Sequence, residues 1–149
     1  MIAEYCPETP SGHTSVDGPT EVTNLDATGA NKALVRTFVE DVLMDGGNSA
    51  NIDRYVSRDQ YTQHNKEVAD GLKHVKALAI AEDRPLVYDE IVLLVGQGNF
   101  VATLCRAQWE DAPYAQADLF RIEDGLIVEH WDAAEPIGPE TERVNSGKF

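Results

Sequence analysis

The pattern of apolar residues changes once along this chain, and the change limits the folds that the chain can form. Before residue 86 the apolar side chains recur at the spacing of a helix face, whereas from Leu86 onward they follow extended runs separated by turn residues. Helices followed by consecutive strands are typical of an α+β fold, because α/β folds alternate the two kinds of element. The sequence therefore predicts a mainly antiparallel sheet with helices packed against it.

Four long strands are predicted in the second half of the chain. Turn residues at 96–99, 111–113 and 123–125 separate them, and connections this short join strands that are neighbours in a sheet. The predicted strands cover residues 86–95, 100–110, 114–122 and 126–134. A strongly curved sheet wrapped over the helices would bury the apolar faces of both.

Three helices are predicted before the strands. The first has an apolar stripe over residues 33–43, and the second is short and begins with Asn48 or Ser49 as its N-cap. The third follows Asp70 as N-cap and ends before Pro85. Its predicted buried side chains are Leu72, Val75, Leu78 and Ala79.

A length of 149 residues fits one ordinary domain. Residues 1–29 combine Pro and Gly with polar residues and contain little apolar surface, so they are expected to form a flexible N-terminal arm. The folded domain is predicted at 30–136, and residues 137–149 form a polar C-terminal tail.

The charge of the chain restricts its partners. Twelve Lys and Arg residues against 26 Asp and Glu residues give a formal net charge of −14, with no basic cluster. Binding to nucleic acid or to an anionic membrane surface relies on clustered positive charge, so neither is expected. A neutral or weakly polar small molecule is the more compatible ligand.

The cysteines and the N-terminus bear on the compartment. Cys6 and Cys105 lie far apart and have no metal-ligand spacing around them, which predicts neither a disulfide framework nor a zinc site. No signal-peptide pattern and no long apolar run is present. We expect a cytoplasmic protein.

Strand alternation identifies a candidate site. On the third predicted strand Asp118, Phe120 and Ile122 share one face, and on the fourth the set Val128, His130 and Asp132 does so, because residues two apart project to the same side. The short turn at 123–125 makes these strands neighbours. A carboxylate and an imidazole can then face each other across one hairpin.

Two segments carry a family resemblance. The segment Tyr61-Thr62-Gln63-His64-Asn65 and the segment from Asp118 to Asp132, DLFRIEDGLIVEHWD, together resemble the SnoaL-like branch of the nuclear transport factor 2 superfamily over roughly residues 31–136. The resemblance implies a cone-shaped curved sheet wrapped around three N-terminal helices, with a half-buried pocket. It also implies a homodimer that pairs through the outer face of the sheet. This superfamily contains isomerases, epoxide hydrolases, cyclases, dehydratases and non-catalytic binding modules.

The resemblance implies roles for particular residues. Asp118 matches the pocket acid on the penultimate strand, which is the oxyanion-stabilising acid of ketosteroid isomerase and the catalytic base of SnoaL-type cyclases. His64 falls where the isomerase has its proton-shuttling aspartate, and Phe38 replaces its oxyanion tyrosine, so the comparison favours the SnoaL-like cyclases. Asp118, His64 and His130 are the expected catalytic residues. The expected pocket residues are Phe38, Tyr61, Asn65, Phe120, Trp131 and Asp132.

Acid–base chemistry is the reaction type that such residues suit. Imidazole exchanges protons near neutrality, with an unperturbed pKa of about 6.5, and a carboxylate in an apolar pocket can act as base or acid. Proton abstraction next to a carbonyl needs a base and a donor at the oxygen that becomes an enolate. The leading hypothesis is an enzyme without cofactors that performs aldol-type condensation or cyclisation on a hydrophobic carbonyl compound.

Other interpretations stay open from the sequence. The same cone could carry out epoxide hydrolysis, hydration or isomerisation, or could only bind a small molecule. His130 beside Trp131 could be a hydrogen-bonded core residue, and His64, His130 and Asp118 could in principle bind a metal. Cys105 lies in the middle of a predicted strand without an oxyanion motif, so it is a weak candidate nucleophile.

Overall fold

The computed structural model describes residues 8–142 and 144–149, and Cys6 lies outside these ranges. Helix α1 spans Thr28–Phe38 and continues as one π-helical turn over Val39–Leu43, and helix α2 spans Leu72–Ala79. The strands are β1 Thr62–Gln63, β2 Leu86–Gln97, β3 Phe100–Trp109, β4 Ala112–Glu123 and β5 Leu126–Pro136. Short 3-10 helices cover Leu25–Ala27, Ser49–Arg54 and Glu140–Glu142.

All five strands form one sheet in the order β1-β5-β4-β3-β2. β1 pairs in parallel with β5, while the four long strands pair antiparallel with their neighbours. Helices on one face of a mainly antiparallel sheet make an α+β fold, which confirms the predicted class.

The core lies between the helices and one face of the sheet. Val35, Phe38 and Val42 from the first helical segment pack against Val101, Phe120 and Ile122 from the strands, and all six are buried. We call the face of the sheet that the helices cover the inner face, and the opposite face the outer face. Within the part of the chain that the structure describes, no helix has the length and apolar character needed to cross a membrane.

The first two helices differ from their predictions. α1 begins at Thr28, earlier than the apolar stripe indicated, because its first turn is held by polar contacts: the Thr28 hydroxyl accepts the backbone N–H of Gly98, and Asn31 Nδ2 donates to the Gly98 carbonyl. The second predicted helix is a 3-10 helix, although Asn48 caps it as expected. Apolar periodicity does not report polar anchors or distinguish the two helix types over one turn.

Helix α2 corrects two further predictions. Gly71 occupies the N-cap position in place of Asp70, whose carboxylate instead accepts the backbone N–H of Gln63 at 2.8 Å. Leu78 is 46% exposed, because this helix has eight residues and turns Leu72 and Ala79 toward the core.

Alternation holds on β4 but is interrupted on β5. A β-bulge lies where Arg121 pairs with Glu129 and Ile122 pairs with Ile127, so the bulge leaves Val128 without an opposite residue. Ile127 therefore joins the core, and it shares the inner face with His130, contrary to the prediction that Val128 would do so. Beyond the bulge Phe120 lies opposite His130, and Asp118 lies opposite Asp132.

Candidate active site

Asp118 and His130 form a buried pair on the inner face of the sheet. Asp118 Oδ1 lies 3.0 Å from His130 Nε2, across the hairpin formed by β4 and β5. The Asp118 side chain is fully buried, whereas 13% of the His130 side chain is exposed. His130 is therefore the member of the pair that a ligand can reach.

Three further donors hold the Asp118 carboxylate. The Tyr88 hydroxyl lies 2.9 and 3.1 Å from its two oxygens, Thr103 Oγ1 donates to Oδ2 at 3.2 Å, and Gln116 Nε2 donates to Oδ1 at 3.1 Å. Burial, together with the negative charge and hydrogen bond of Asp118, raises the pKa of Tyr88 well above its ordinary value, so this phenol stays protonated and donates. Both oxygens of Asp118 are thus occupied.

His130 is held on its other side by Gln63. The Gln63 oxygen lies 3.2 Å from His130 Nδ1 and also accepts the backbone N–H of Asn65, while its amide nitrogen donates to the Tyr61 hydroxyl. These contacts fix the oxygen of Gln63 as the acceptor, so His130 Nδ1 carries a proton.

The charge state of His130 follows from its surroundings. Burial alone would lower the pKa of His130, but the hydrogen bond and charge of Asp118, with a further contribution from Asp132, outweigh burial and raise it above 6.5. These contacts therefore shift His130 toward the imidazolium form, which donates from both nitrogens.

Two polar residues lie at the exposed edge of this pair. Asn65 Nδ2 donates to Asp132 Oδ2 at 2.8 Å, and both residues are partly exposed. One carboxylate oxygen each from Asp118 and Asp132 and one ring nitrogen of His130 lie within 4.8 Å of one another. In the described ranges no other hydrogen bond reaches the carboxylate of Asp132, which leaves one of its oxygens available.

Aromatic rings form the apolar side of the site. Phe120 stacks on the His130 ring with centroids 4.8 Å apart and planes 15° apart, and Phe38 meets Phe120 edge to face at 5.7 Å. Such walls exclude water and strengthen the electrostatic interactions inside. Of the pocket residues predicted from the sequence, Phe38, Tyr61, Asn65, Phe120 and Asp132 are close to the Asp118–His130 pair.

His64 and Trp131 lie on the outer face of the sheet, which corrects the prediction that they share one site with Asp118 and His130. His64 stacks on Trp131 at 4.5 Å, and its Nε2 lies 2.8 Å from Glu129, which also binds Arg121 at 2.6 Å. The reason is strand alternation: Gln63 and His64 are successive residues beside β5, so only one of them can face inward. The metal set His64, His130 and Asp118 is therefore not brought together.

Residues of the predicted N-terminal arm cover this outer cluster. His64 Nδ1 lies 2.6 Å from the Thr14 carbonyl and 3.0 Å from Asp17 Oδ1, and Trp131 Nε1 donates to the Asp17 carbonyl at 2.8 Å. Gly18 packs against Trp131 and Glu129. His64 thus connects residues 14–18 to the sheet.

Cys105 also lies on the inner face, but its environment opposes nucleophilic chemistry. Burial, and to a smaller extent the charge of Asp118, raises the pKa of the Cys105 thiol to about 11 against a lowering hydrogen bond from Thr103. The unreactive thiol form is favoured.

Four site residues were missed by the sequence analysis: Gln63, Tyr88, Thr103 and Gln116. Alternation could have found Gln116, which precedes Asp118 by two residues, and Thr103 lies directly opposite Asp118 in the β3–β4 register. Tyr88 lies beside a β-bulge on β2, so its face could not be read from the sequence.

Comparisons with known proteins identify the fold. No protein-family model matches the chain, and no curated protein matches its sequence. A candidate ketosteroid isomerase from Kribbella flavida superposes with a TM-score of 0.61 at 16% identity, over 83% of this chain and 97% of that one. An LEH-like epoxide hydrolase from M. tuberculosis has a TM-score of 0.56 at 14% identity, over 72% and 84% of the two chains.

A third structure, a candidate polyketide cyclase from Acidithiobacillus ferrooxidans, has a TM-score of 0.56 at 14% identity over 70% of this chain and 87% of its own. These similarities confirm the predicted nuclear transport factor 2-like fold. At such identities they show the fold alone, and the activities of these proteins differ from one another.

Proposed function

We propose, on the basis of this shared fold, that the protein is an acid–base enzyme that works without a cofactor on a hydrophobic, carbonyl-bearing small molecule. The observation that supports it is the Asp118–His130 pair, with 3.0 Å between the carboxylate oxygen and the imidazole nitrogen, on an aromatic inner face with one edge of His130 exposed. Paired, desolvated groups of this kind are common where proton transfer is catalysed.

His130 supplies the proton donor. Its raised pKa favours the imidazolium, and its longer hydrogen bond, 3.2 Å to the Gln63 oxygen, is the contact that a substrate carbonyl oxygen would replace. A donor placed at that oxygen stabilises the negative charge that develops when a neighbouring carbon loses a proton.

Asp118 and Asp132 have different roles in this proposal. Asp118 accepts hydrogen bonds at both oxygens, so it positions His130 and balances its charge. Asp132 retains an available oxygen at the edge of the site, so it removes the proton from carbon. The enolate carbon then forms a bond to a second carbonyl carbon, and the alkoxide takes the proton held by Asp132, which completes the aldol addition step of a condensation or cyclisation.

Hydrogen–deuterium exchange next to a carbonyl tests the first half of this reaction. Aryl methyl ketones incubated with the protein in D2O should exchange their methyl protons, followed by NMR. His130→Gln and Asp132→Asn should each slow exchange by about 10² to 10⁴-fold. Glu135→Gln is the matched control, because it removes an exposed carboxylate from the same strand. Equal exchange rates in all of these variants would refute the proposal.

Epoxide hydrolysis is the second candidate, and the arrangement of Asp132 favours it. Two carboxylates beside one imidazole could hold a water molecule while His130 protonates the epoxide oxygen. Incubation of an epoxide in ¹⁸O-labelled water distinguishes the two reactions, since labelled diol indicates attack by water. If a small molecule binds but the protein catalyses neither hydrogen–deuterium exchange nor ¹⁸O incorporation, a non-catalytic binding module is favoured.

A further inference from the structure

Gln116 has a buried oxygen without a hydrogen-bond donor. The residue lies on the inner face of β4, two positions before Asp118, and is 1% exposed. Its nitrogen Nε2 donates to Asp118 Oδ1, but Oε1 accepts no hydrogen bond from residues 8–142 or 144–149. Buried acceptors without a donor are uncommon, and each has a physical reason.

The orientation of the amide is fixed by Asp118. Turning the amide over would place its oxygen against the carboxylate, where two acceptors repel each other, so Nε2 must face Asp118 and Oε1 must face away. Cys105, directly opposite Gln116 on β3, does not donate to it. The vacant acceptor is thus a consequence of holding Asp118 in place.

The vacant oxygen belongs to the candidate active site. Gln116 Nε2 and His130 Nε2 bind the same oxygen of Asp118, at 3.1 and 3.0 Å, so the two side chains are neighbours. Gln116 is only 1% exposed, so a molecule with its carbonyl at His130 must enter between the helices and the inner face to place a second polar group at Oε1.

We propose that Gln116 determines specificity by accepting a hydrogen bond from a hydroxyl group of the substrate, which makes hydroxylated carbonyl compounds the substrate class. The inference rests on the proposed function. A site with a buried acceptor discriminates against analogues that lack the hydroxyl, because binding such an analogue leaves the acceptor unpaired and excludes water from it.

Binding of matched probes tests the inference without requiring turnover. The probes are acetophenone, its 3′- and 4′-hydroxy derivatives and the corresponding methoxy derivatives, titrated at millimolar concentration by ligand-observed NMR. The methoxy compounds match the added size but cannot donate. The wild-type protein should bind at least one hydroxy derivative about tenfold more tightly than acetophenone and than its methoxy counterpart.

Gln116→Met keeps the length and volume of the side chain but removes the acceptor, together with the hydrogen bond that Nε2 donates to Asp118. It should bind all the probes within about twofold of one another. Gln108→Met is the matched control, because Gln108 is on β3, donates to Asp89 and lies away from the site; it should retain the wild-type preference. If Gln116→Met does not fold, Gln116→Asn, which withdraws the oxygen by one methylene length, should show the same loss.

Three results would overturn the inference: equal binding of hydroxylated and plain probes by the wild type, no binding of any probe, or a preference that survives in the folded variant. If only water hydrogen-bonds to the Gln116 oxygen, the wild type would bind hydroxylated and plain probes equally. If the protein catalyses hydrogen exchange in ketones but shows no preference for hydroxylated probes, this inference alone is refuted. If it prefers hydroxylated probes but catalyses no exchange, the proposed reaction alone is refuted.

Discussion

His64 Nε2 lies 2.8 Å from Glu129 Oε1 on the outer face of the sheet, separated by the sheet itself from the Asp118–His130 pair. Both ring nitrogens of His64 face acceptors, since the Thr14 carbonyl lies 2.6 Å from Nδ1. The contacts of His64 thus connect three parts of the fold: residues 14–18, β5 and, through Glu129, Arg121 on β4. We expect its contribution to be structural.

The first prediction compares His64 with His130. His64→Gln should lower the free energy of unfolding by about 2 kcal/mol, because it leaves buried acceptors without a donor, while ketone exchange stays close to the wild-type rate. His130→Gln should have the opposite pattern, with a large loss of exchange. Urea unfolding and the NMR exchange assay measure the two effects, and a greater loss of exchange in His64→Gln would contradict the assignment.

The second prediction concerns pH. The folded-state pKa of His130 is raised, so its charged form is favoured by folding, and its contribution to stability is complete below about pH 6.5 and lost as the pH rises through the raised value. The difference in unfolding free energy between wild type and His130→Gln should therefore shrink as the pH rises above about 6.5. An NMR titration of the His130 ring should give a midpoint above 6.5. A difference that grows with pH would have the wrong sign.

The third prediction tests the packing of residues 14–18 on the outer face. A Cβ at Gly18 would lie 2.7 Å from Trp131 Cζ2 and 2.8 Å from Glu129 Oε1, whereas one at Gly12 would meet no atom within 4 Å. Both glycines have positive φ, at +115° and +85°, so Gly12→Ala controls for backbone strain. Gly18→Ala should cost about 1–3 kcal/mol more than Gly12→Ala and shift tryptophan emission to the red. Equal losses would mean that this packing contributes little.

The fourth prediction concerns a homodimer formed through the outer face, as the sequence resemblance implied. Leu93 and Val95 are 53% and 49% exposed, and their partners in the sheet continue the apolar surface across β3 and β4. Leu93→Glu should weaken the dimer about a hundredfold, because a charge would be buried there. Leu25→Glu, at an exposed apolar residue outside the sheet, should leave it intact. Light scattering at micromolar concentration distinguishes the two, and a monomeric wild type would refute the dimer.

The local pattern of this chain determined much of its fold. Helical periodicity, turn residues and strand alternation indicated the α+β class, the four long strands and the facing of Asp118 and His130, because each depends on residues close in sequence. The predictions were wrong where the chain departs from these local patterns. The bulge at Val128 moves Ile127 into the core, and the polar first turn of α1 has no apolar stripe.

The division of His64 from Asp118 required the tertiary structure. Alternation along residues 61–65 shows that Gln63 and His64 point in opposite directions, but only the parallel pairing of β1 with β5 decides which of them faces inward. The same holds for Tyr88 on β2 and Thr103 on β3, whose hydrogen bonds to Asp118 on β4 depend on the pairing of the strands. The sequence by itself determined which groups are available for acid–base chemistry, and the register of the sheet decided which of them meet, because a contact between distant segments depends on pairing that no local pattern encodes.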